Sequence, residues 1–454
     1  MLPVTTKNNQ PSLFHSRLED MLDSNDPLIA LADTINWEEF DSFFAKYYSN
    51  NGRPAKPIRL MVGLLILKQL ENLSDENIVL QWKRNPYYQY FCGMNEYQPS
   101  PPCDSTELVK FRNRIGKEGV EKIFSASVAL HGKAKEEKQV IIDTTVQEKN
   151  ITYPTDGKLA IKMIHHLHRI AKEEKIQLRR TYVKEIKGHR VSLRFFRHPK
   201  KIKKAKSAMK RLKTITRILI RDISRKLDEK RVEKHKETFE LFLKVSDQKL
   251  KDSNKIYSLH ESHIYAIAKG KDHKKYEYGT KASLVTTMKS SVIVGVVAHK
   301  KNEHDSKTLK AALASANRHR AKPVKEAICD RGYRGAKEID GTIISIPDIP
   351  KKRDTKYQKE QKRKKFKRRA AIEPIIGHVK SDHRMQRNYL KGFVGDEINL
   401  LLAASAFNFK KWMNNFLKLL FMLKIALILY ALAHTKNTQR EKYLPLFLMI
   451  LKLW

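Results

Sequence analysis

The period of the sequence changes at residue 139, and that change restricts the fold more than any other feature. QVIIDTTVQEKNITY (139–153) is β-branched and apolar, the pattern of two strands or of a strand and its hairpin partner. Residues 1–135 read as helix. IRLMVGLLILKQLENL (58–73) leads into SDENIVLQWKRN (74–85), with Ser74 placed to cap the second helix. Two helices joined by so short a break resemble a helix-turn-helix pair. The turn-rich YQPSPPCD separates them from STELVKFRNRIGKEGVEKIF, two further short helices carrying Arg112 and Arg114. These arginines are candidate phosphate contacts, and a solvated helix face explains them equally well.

From about 158 to 255 the chain is helical and highly charged. MKRLKTITRILIRDISRKL aligns Met209, Leu212, Ile215, Leu219, Ile223 and Leu227 on one stripe, which predicts a helical hairpin with a packed face and a basic face. Strand signals return in HIYAIA, YGTKASLVTTM and SVIVGVVAH. A helix over 305–319 follows, with Asp305 read as its N-cap. KEAICDRGYRG reads as a strand ending in a glycine-rich turn, and TIISIP as another strand. The basic run 351–369 leads into a helix around Glu373, and INLLLAASAFNFKKWMNNF (398–416) is a further apolar helix. Strands, helix, strand and helix in this order predict a mixed α/β sheet domain, interrupted after its first strands by the long helical block.

Charge narrows the partner. The chain has 91 Lys+Arg against 49 Asp+Glu, a formal charge of +42, with 41% hydrophobic residues. That apolar content supports real cores and excludes a disordered polycation. The excess charge calls for a polyanion, and nucleic acid fits better than an anionic membrane because neutralised phosphates release counterions. Three cysteines without a CxxC pair exclude a disulfide scaffold and give structural zinc no support, in keeping with a reducing cytosol. MLPVTTKNNQ lacks the pattern of a secretory signal. FLKLLFMLKIALILYALA is interrupted by Lys418 and Lys424 and reads as a buried or amphipathic helix, with no membrane span expected.

Three acids stand out by position. Asp143 lies in the middle of a β-branched run, where a carboxylate is costly to bury uncompensated. Asp330 ends the apolar AIC and opens DRGYRG, at the carboxyl end of a strand where active groups gather. Glu373 sits in a short apolar segment flanked by cations. A cap, a turn residue and a surface ion pair explain them singly. Together, a first-strand Asp, a later strand-end Asp and a helical Glu can converge on one point, where they would repel unless divalent cations neutralised them. Hard oxygen ligands suit Mg²⁺, with Mn²⁺ as a substitute, and two such ions stabilise the attacking and leaving oxygens of a phosphodiester substitution. Other candidates read as ordinary structure: His165, His166 and His168 as basic surface, Glu303 as a cap like Asp305, and Asp156 as a turn residue. Lys281 reads as a strand-edge lysine or a DNA contact.

The ordered set resembles the DDE transposases of bacterial insertion sequences. GRPAKPIRLMVGLLILKQLENLSDE is similar to the helical N-terminal module of the insertion-sequence-five group. IIDTTV, DRGYRG and IEPIIGHVKSDHRM…RNYLKGFVGDEINLLLAA resemble its three catalytic blocks, over roughly residues 40 to 412. The Tyr-x₂-Arg-x₃-Glu-x₆-Lys signature of the related insertion-sequence-four group falls on Phe366, Arg369, Glu373 and Lys380, with Phe in place of the tyrosine. These offsets place all four on one face of a continuous helix, whereas Pro374 demands a helix start or a kink nearby.

The resemblance implies a ribonuclease-H-like catalytic core with Asp143, Asp330 and Glu373 as catalytic metal ligands, and Arg369 and Lys380 on DNA phosphates. It implies binding of the element's terminal inverted repeats and of target DNA, assembly as a homodimer on paired ends, and a cytoplasmic, nucleoid-associated location. The expected layout is a helical N-terminal DNA-binding domain (1–135), the first strands of the core (136–157), a basic helical insertion (158–255), the rest of the core (256–415) and an apolar tail (416–454). A non-catalytic or decayed DNA-binding protein and a plain nuclease of the same core type are the alternative readings.

Overall fold

The computed structural model describes residues 16–434 apart from positions 50, 53, 250, 251, 272, 273 and 347–350. Its centre is a mixed sheet of eight strands among the described residues. In chain order they are β1 (Gln139–Lys149), β2 (Tyr265–Lys271), β3 (Lys274–Thr287), β4 (Ile293–His299), β5 (Glu326–Ile328), β6 (Glu338–Ile339), β7 (Thr342–Ser345) and β8 (Arg387–Asn388). The β-branched run thus forms one long strand and no local hairpin. Its partner is β3, antiparallel and more than a hundred residues away, from Val140↔Thr287 to Glu148↔Gly279. Gly279 is glycine for a steric reason: a Cβ there would stand 2.0 Å from the Gln147 carbonyl oxygen.

The far edge of β1 is shared. Its first residues pair in parallel with β5, Gln139↔Glu326 to Ile141↔Ile328, and its last two pair with β8. Between Ile142 and Gln147 neither neighbour pairs with it. The sheet is therefore split along this edge of β1, next to the carboxyl end of β5.

One hydrophobic core joins the N-terminal helices to the sheet, running from Leu28 through Leu64, Phe111, Val140 and Leu284 to Phe409. Helix Ile58–Leu70 is buried at every position except Arg59. It is a central core helix and presents no face to a groove of DNA. Ser74 caps Asp75–Trp82 as expected, accepting from the Asn77 backbone N–H at 3.1 Å. The helix-turn-helix pair is therefore a packing unit, locked by the buried trio Lys68, Asp75 and Arg112.

Residues 156–247 form four helices, Asp156–Glu173, Val183–Ser192, Ile202–Lys226 and Glu229–Asp247, where the sequence predicts a hairpin. They enclose a second core in which the stripe residues Leu212, Ile215, Leu219 and Ile223 are buried. Asp156 opens the first of these helices and pairs with Lys255 at 2.8 Å, tying the two ends of the insertion together.

Helix Gly392–His434 is continuous across residue 416, so the expected boundary at 415/416 falls inside one element. Its first half is core: Asn408 Oδ1 accepts from the Ile293 N–H at 3.0 Å and its amide donates to the Ile293 carbonyl at 2.8 Å, fixing the helix on β4. Asp396, fully buried, receives Lys149 Nζ from the end of β1 at 2.6 Å. Beyond Phe416 the apolar residues Leu419, Met422, Leu423 and Leu427 are exposed. By length and composition alone the helix could cross a bilayer. The rest of the apolar tail, 435–454, lies outside the described residues.

Candidate active site

Register carries two of the three acids toward one region. Ile141 pairs with Ile328 in parallel as the last pair of β1 with β5; Asp143 follows two residues on inside β1, Asp330 two residues on beyond the end of β5, and the charges of both act on Cys329. Asp143 Oδ1 accepts from the Thr144 N–H at 2.7 Å. Asp330 has left the strand and caps the 3₁₀ turn Arg331–Tyr333, accepting from the Gly332 N–H at 2.8 Å. Cys329 lies between the two acids. Burial first, then the charges of Asp330 and Asp143, push its thiol pKa up, so this cysteine is an inert spacer and no nucleophile.

A third carboxylate arrives that the sequence assigns to a cap. His304, not Asp305, caps helix Asp305–Arg318, its ring accepting from the Ser306 N–H. Asp305 is the first residue inside that helix. Its Oδ1 accepts from Thr144 Oγ1 at 2.9 Å and from Lys281 Nζ at 3.0 Å. Lys281, on β3, is nearly buried and also donates to the Glu303 carbonyl at 2.6 Å. A Cβ built at Gly332 would stand 3.0 Å from Asp330 Oδ1 and 3.2 Å from Asp305 Oδ2. The spot is crowded, so a side chain there would press on both carboxylates.

Tyr333 closes the site from beneath. It is fully buried, and the hydrogen-bonding side chain beside its hydroxyl is Thr144. Its neighbours are Asp143, Asp305 and Thr144. Burial raises the phenol's pKa and the charges of Asp143 and Asp305 raise it further, so it stays a protonated donor. Sequence reasoning missed Tyr333, Thr144 and the role of Asp305. The available signals were a lysine inside the apolar YGTKASLV and an acid two residues after Glu303, neither of which names its partner.

Glu373 is placed differently. The basic helix ends at Arg369, and a new helix, Ile372–Ser381, begins just before Pro374. The proline thus falls in a first turn, where its missing N–H costs nothing. Phe366, Arg369, Glu373 and Lys380 therefore do not share one helix. Glu373 is exposed and pairs with Arg369 Nη2 at 3.0 Å. Arg369 is itself largely buried, and its Nε has no partner. Lys380 is half-buried near the end of the second helix. Among the described residues, no three His, Cys, Asp or Glu side chains close on one point tightly enough to hold an ion. The His165–His168 group is no exception: the His166 ring packs on Phe242.

Of the two N-terminal arginines, only one reaches solvent. Arg112 is buried and both terminal nitrogens donate to Asp75 at 3.1 Å; it is a structural ion pair and no phosphate contact. Arg114 is exposed, with its guanidinium 4.9 Å from the centre of the Tyr48 ring.

The donor set at the Asp143–Asp330 pair fits a hard divalent cation. It offers carboxylate oxygens, with the Gly332 backbone held close between Asp330 Oδ1 and Asp305 Oδ2. A magnesium ion is commonly held by one or two carboxylates with several waters retained.

Comparison with known proteins is consistent with this geometry. Residues 16–114 match a family model described as a transposase domain (DUF772), and residues 227–409 match one described as a transposase DDE domain. The second span contains Asp330 and Glu373 but not Asp143. The chain is 40% identical over 203 residues to a Rhizobium meliloti protein described as an uncharacterized protein, ORF8 in the nfe locus; the match covers 44% of this chain and 98% of the relative. No solved structure matches. Two transposase domains in order, over a mixed α/β fold, place this chain among the DDE transposases of insertion sequences.

Proposed function

We propose that the protein binds the terminal inverted repeats of its own element and carries out metal-dependent strand cleavage followed by strand transfer. The observation that supports this reading is the parallel register Ile141↔Ile328, with Asp143 and Asp330 each two residues further along the chain. The mixed sheet is read as a ribonuclease-H-like core. Asp143, Asp330 and Glu373 would be the residues that hold the Mg²⁺ or Mn²⁺ of the reaction. A divalent cation supplies Lewis acidity toward water and the phosphodiester oxygens.

The protein's own groups do the rest. Arg369 and Lys380 grip phosphates beside the scissile bond, and exposed Arg114 holds the duplex further out. Arg369 now neutralises Glu373; when a phosphate takes the guanidinium, the carboxylate is released toward the acid pair. Hydrolysis leaves a 3′-hydroxyl at the element end, and that hydroxyl then attacks a phosphodiester of a second strand, becoming joined to its 5′-phosphate while that strand's own 3′-hydroxyl leaves. The active form is a homodimer on paired ends, working in the cytoplasm at the nucleoid.

The test is cleavage of terminal-repeat duplex in Mg²⁺ by the wild type and by Asp143→Ala, Asp330→Ala and Glu373→Ala. All three variants are expected to lose cutting and joining. Full activity in any one removes that residue from the site. Tight DNA binding without any cutting by the wild type would leave a non-catalytic binding protein, and cutting without joined products a plain nuclease.

A further inference from the structure

We propose that the groove between helix Lys356–Arg369 and the sheet at Gln139 and Met288 is a track for the phosphate backbone of duplex DNA, gripped without regard to sequence. The proposal rests on the reading of the chain as a DNA-acting enzyme and adds a contact surface that Arg369, Lys380 and Arg114 do not form.

The helix itself is the first observation. It carries nine lysines and arginines against one acid, Glu360, and none of its residues is buried. A helix docked on a sheet normally buries an apolar stripe; this one is held by polar contacts. Thr355 and Gln358 cap its start. Lys365 Nζ reaches Glu326 at 2.6 Å and Ser345 Oγ at 2.9 Å, and Arg368 Nη2 donates to the Lys289 carbonyl at 2.6 Å. Between the helix and the sheet lies a groove of about 950 Å³.

Charge names the occupant. Lys364 and Lys367 line the groove from the helix, and Lys289 lines it from just beyond β3. Lys289 and Lys367 have no acid partner among the described residues, and Lys364 has only the exposed Glu360 at 2.9 Å. Like charges four apart on the helix, Lys359, Arg363 and Lys367 or Lys364 and Arg368, repel each other. The crowding extends to helix Gly392–His434: burial first, then the charges of Lys418 and Arg368, lower the pKa of half-buried Lys411. A polyanion laid in the groove relieves this repulsion and releases its own counterions. A second copy of this chain, at the same +42, brings more of the same charge. The groove also leads toward a candidate acid. Gln139 lines it, and Asp143 lies four residues on along the same face of β1, about 13 Å in an extended strand. That span is about four phosphates of one DNA strand, so a backbone held in the groove can run on to Asp143.

The experiment combines Lys289→Gln, Lys364→Gln and Lys367→Gln in the full-length protein. Binding is titrated against salt with a terminal-repeat duplex and with an unrelated duplex of the same length, and thermal melting checks folding. The slope of log K on log salt is expected to become shallower by roughly 2.7 for both duplexes, about 0.9 per lysine, at an unchanged melting temperature. Acetylation footprinting of the wild type, which needs no variant, should show the three lysines protected by either duplex. A wild-type slope in the folded variant overturns the proposal, as do lysines that bound DNA leaves open to acetylation. A change confined to the terminal-repeat duplex also overturns it, because the groove would then read sequence. Protection by poly-glutamate and by neither duplex would assign the groove to an acidic protein and overturn it too. The underlying reading fails separately: a wild type that binds terminal-repeat DNA in Mg²⁺ without cutting it loses the catalytic function, while the groove stands on the slope and the footprint.

Discussion

Arg112 and Arg114 are two positions apart in sequence and serve opposite ends. Arg112 is sealed against Asp75 beside Lys68, so Arg112→Ala leaves an under-compensated buried acid. It is expected to cost about 3–5 kcal/mol of stability, read by denaturant melts. Arg114→Ala should leave stability within about 0.5 kcal/mol and reduce the salt slope of DNA binding by about one. Equal stability in both variants would contradict the burial. The sequence shows an arginine pair on a helix and cannot show which is inside, because the acid that claims Arg112 is 37 residues away. The acids follow the same rule. Asp143 and Asp330 were visible as locally odd acids, one breaking an apolar strand and one opening a glycine turn. Asp305 was not, because its partner Thr144 is 161 residues distant and a polar residue at a helix start already has a sufficient local explanation.

Elements were legible where their cause is local. Periodicity located the strands through β5 and β7 and the helix Asp305–Arg318, and Ser74 marked its helix start. Pairing was not legible: the partner of β1 is set by the sheet as a whole, and the expected hairpin gave way to β3. The long helix Gly392–His434 also docks through a titratable contact. His131 Nε2 donates to the Asn408 carbonyl at 3.1 Å, and burial depresses the His131 pKa to about 4. Above pH 6.5 the ring is neutral in both folded and unfolded chains and contributes no pH dependence. As pH falls from 6.5 toward 4 the unfolded chain binds the proton first, so stability drops, by roughly 3 kcal/mol in total. His131→Gln keeps a donor and should flatten that part of the stability–pH curve. An unchanged curve would show that the ring does not titrate in this window.

At the scale of the whole molecule, the sequence separates a helical N-terminal region from the core, yet both bury their apolar surface in one core running from Leu28 to Phe409. Composition cannot reveal a shared core, since each helix looks amphipathic or apolar by itself. The insertion is the reverse case: its own stripe encloses its own core, and it was visible as a block. The exposed apolar residues beyond Phe416 contribute little to either core. Truncation after residue 416 is therefore expected to leave the melting temperature and DNA cleavage unchanged while improving solubility; loss of cleavage would give the tail a working role. The charge of +42 belongs to this scale as well. With about ten phosphates neutralised, log K for DNA should fall against log salt with a slope near −9, and a slope near zero would rule out a mainly electrostatic grip.

The central claim is that Asp143 and Asp330, neighbours only through the β1–β5 register, both contact a divalent cation during strand cleavage. The most direct measurement replaces each in turn by cysteine and compares cleavage of terminal-repeat DNA in Mg²⁺ and in Mn²⁺. A thiolate is a poor ligand for Mg²⁺ and a better one for the softer ion. Asp143→Cys and Asp330→Cys should each lose at least about 100-fold in Mg²⁺, since even outer partners of a metal ligand cost 10–100-fold, and should regain activity in Mn²⁺. Wild-type cleavage in Mg²⁺ by either cysteine variant would contradict the account.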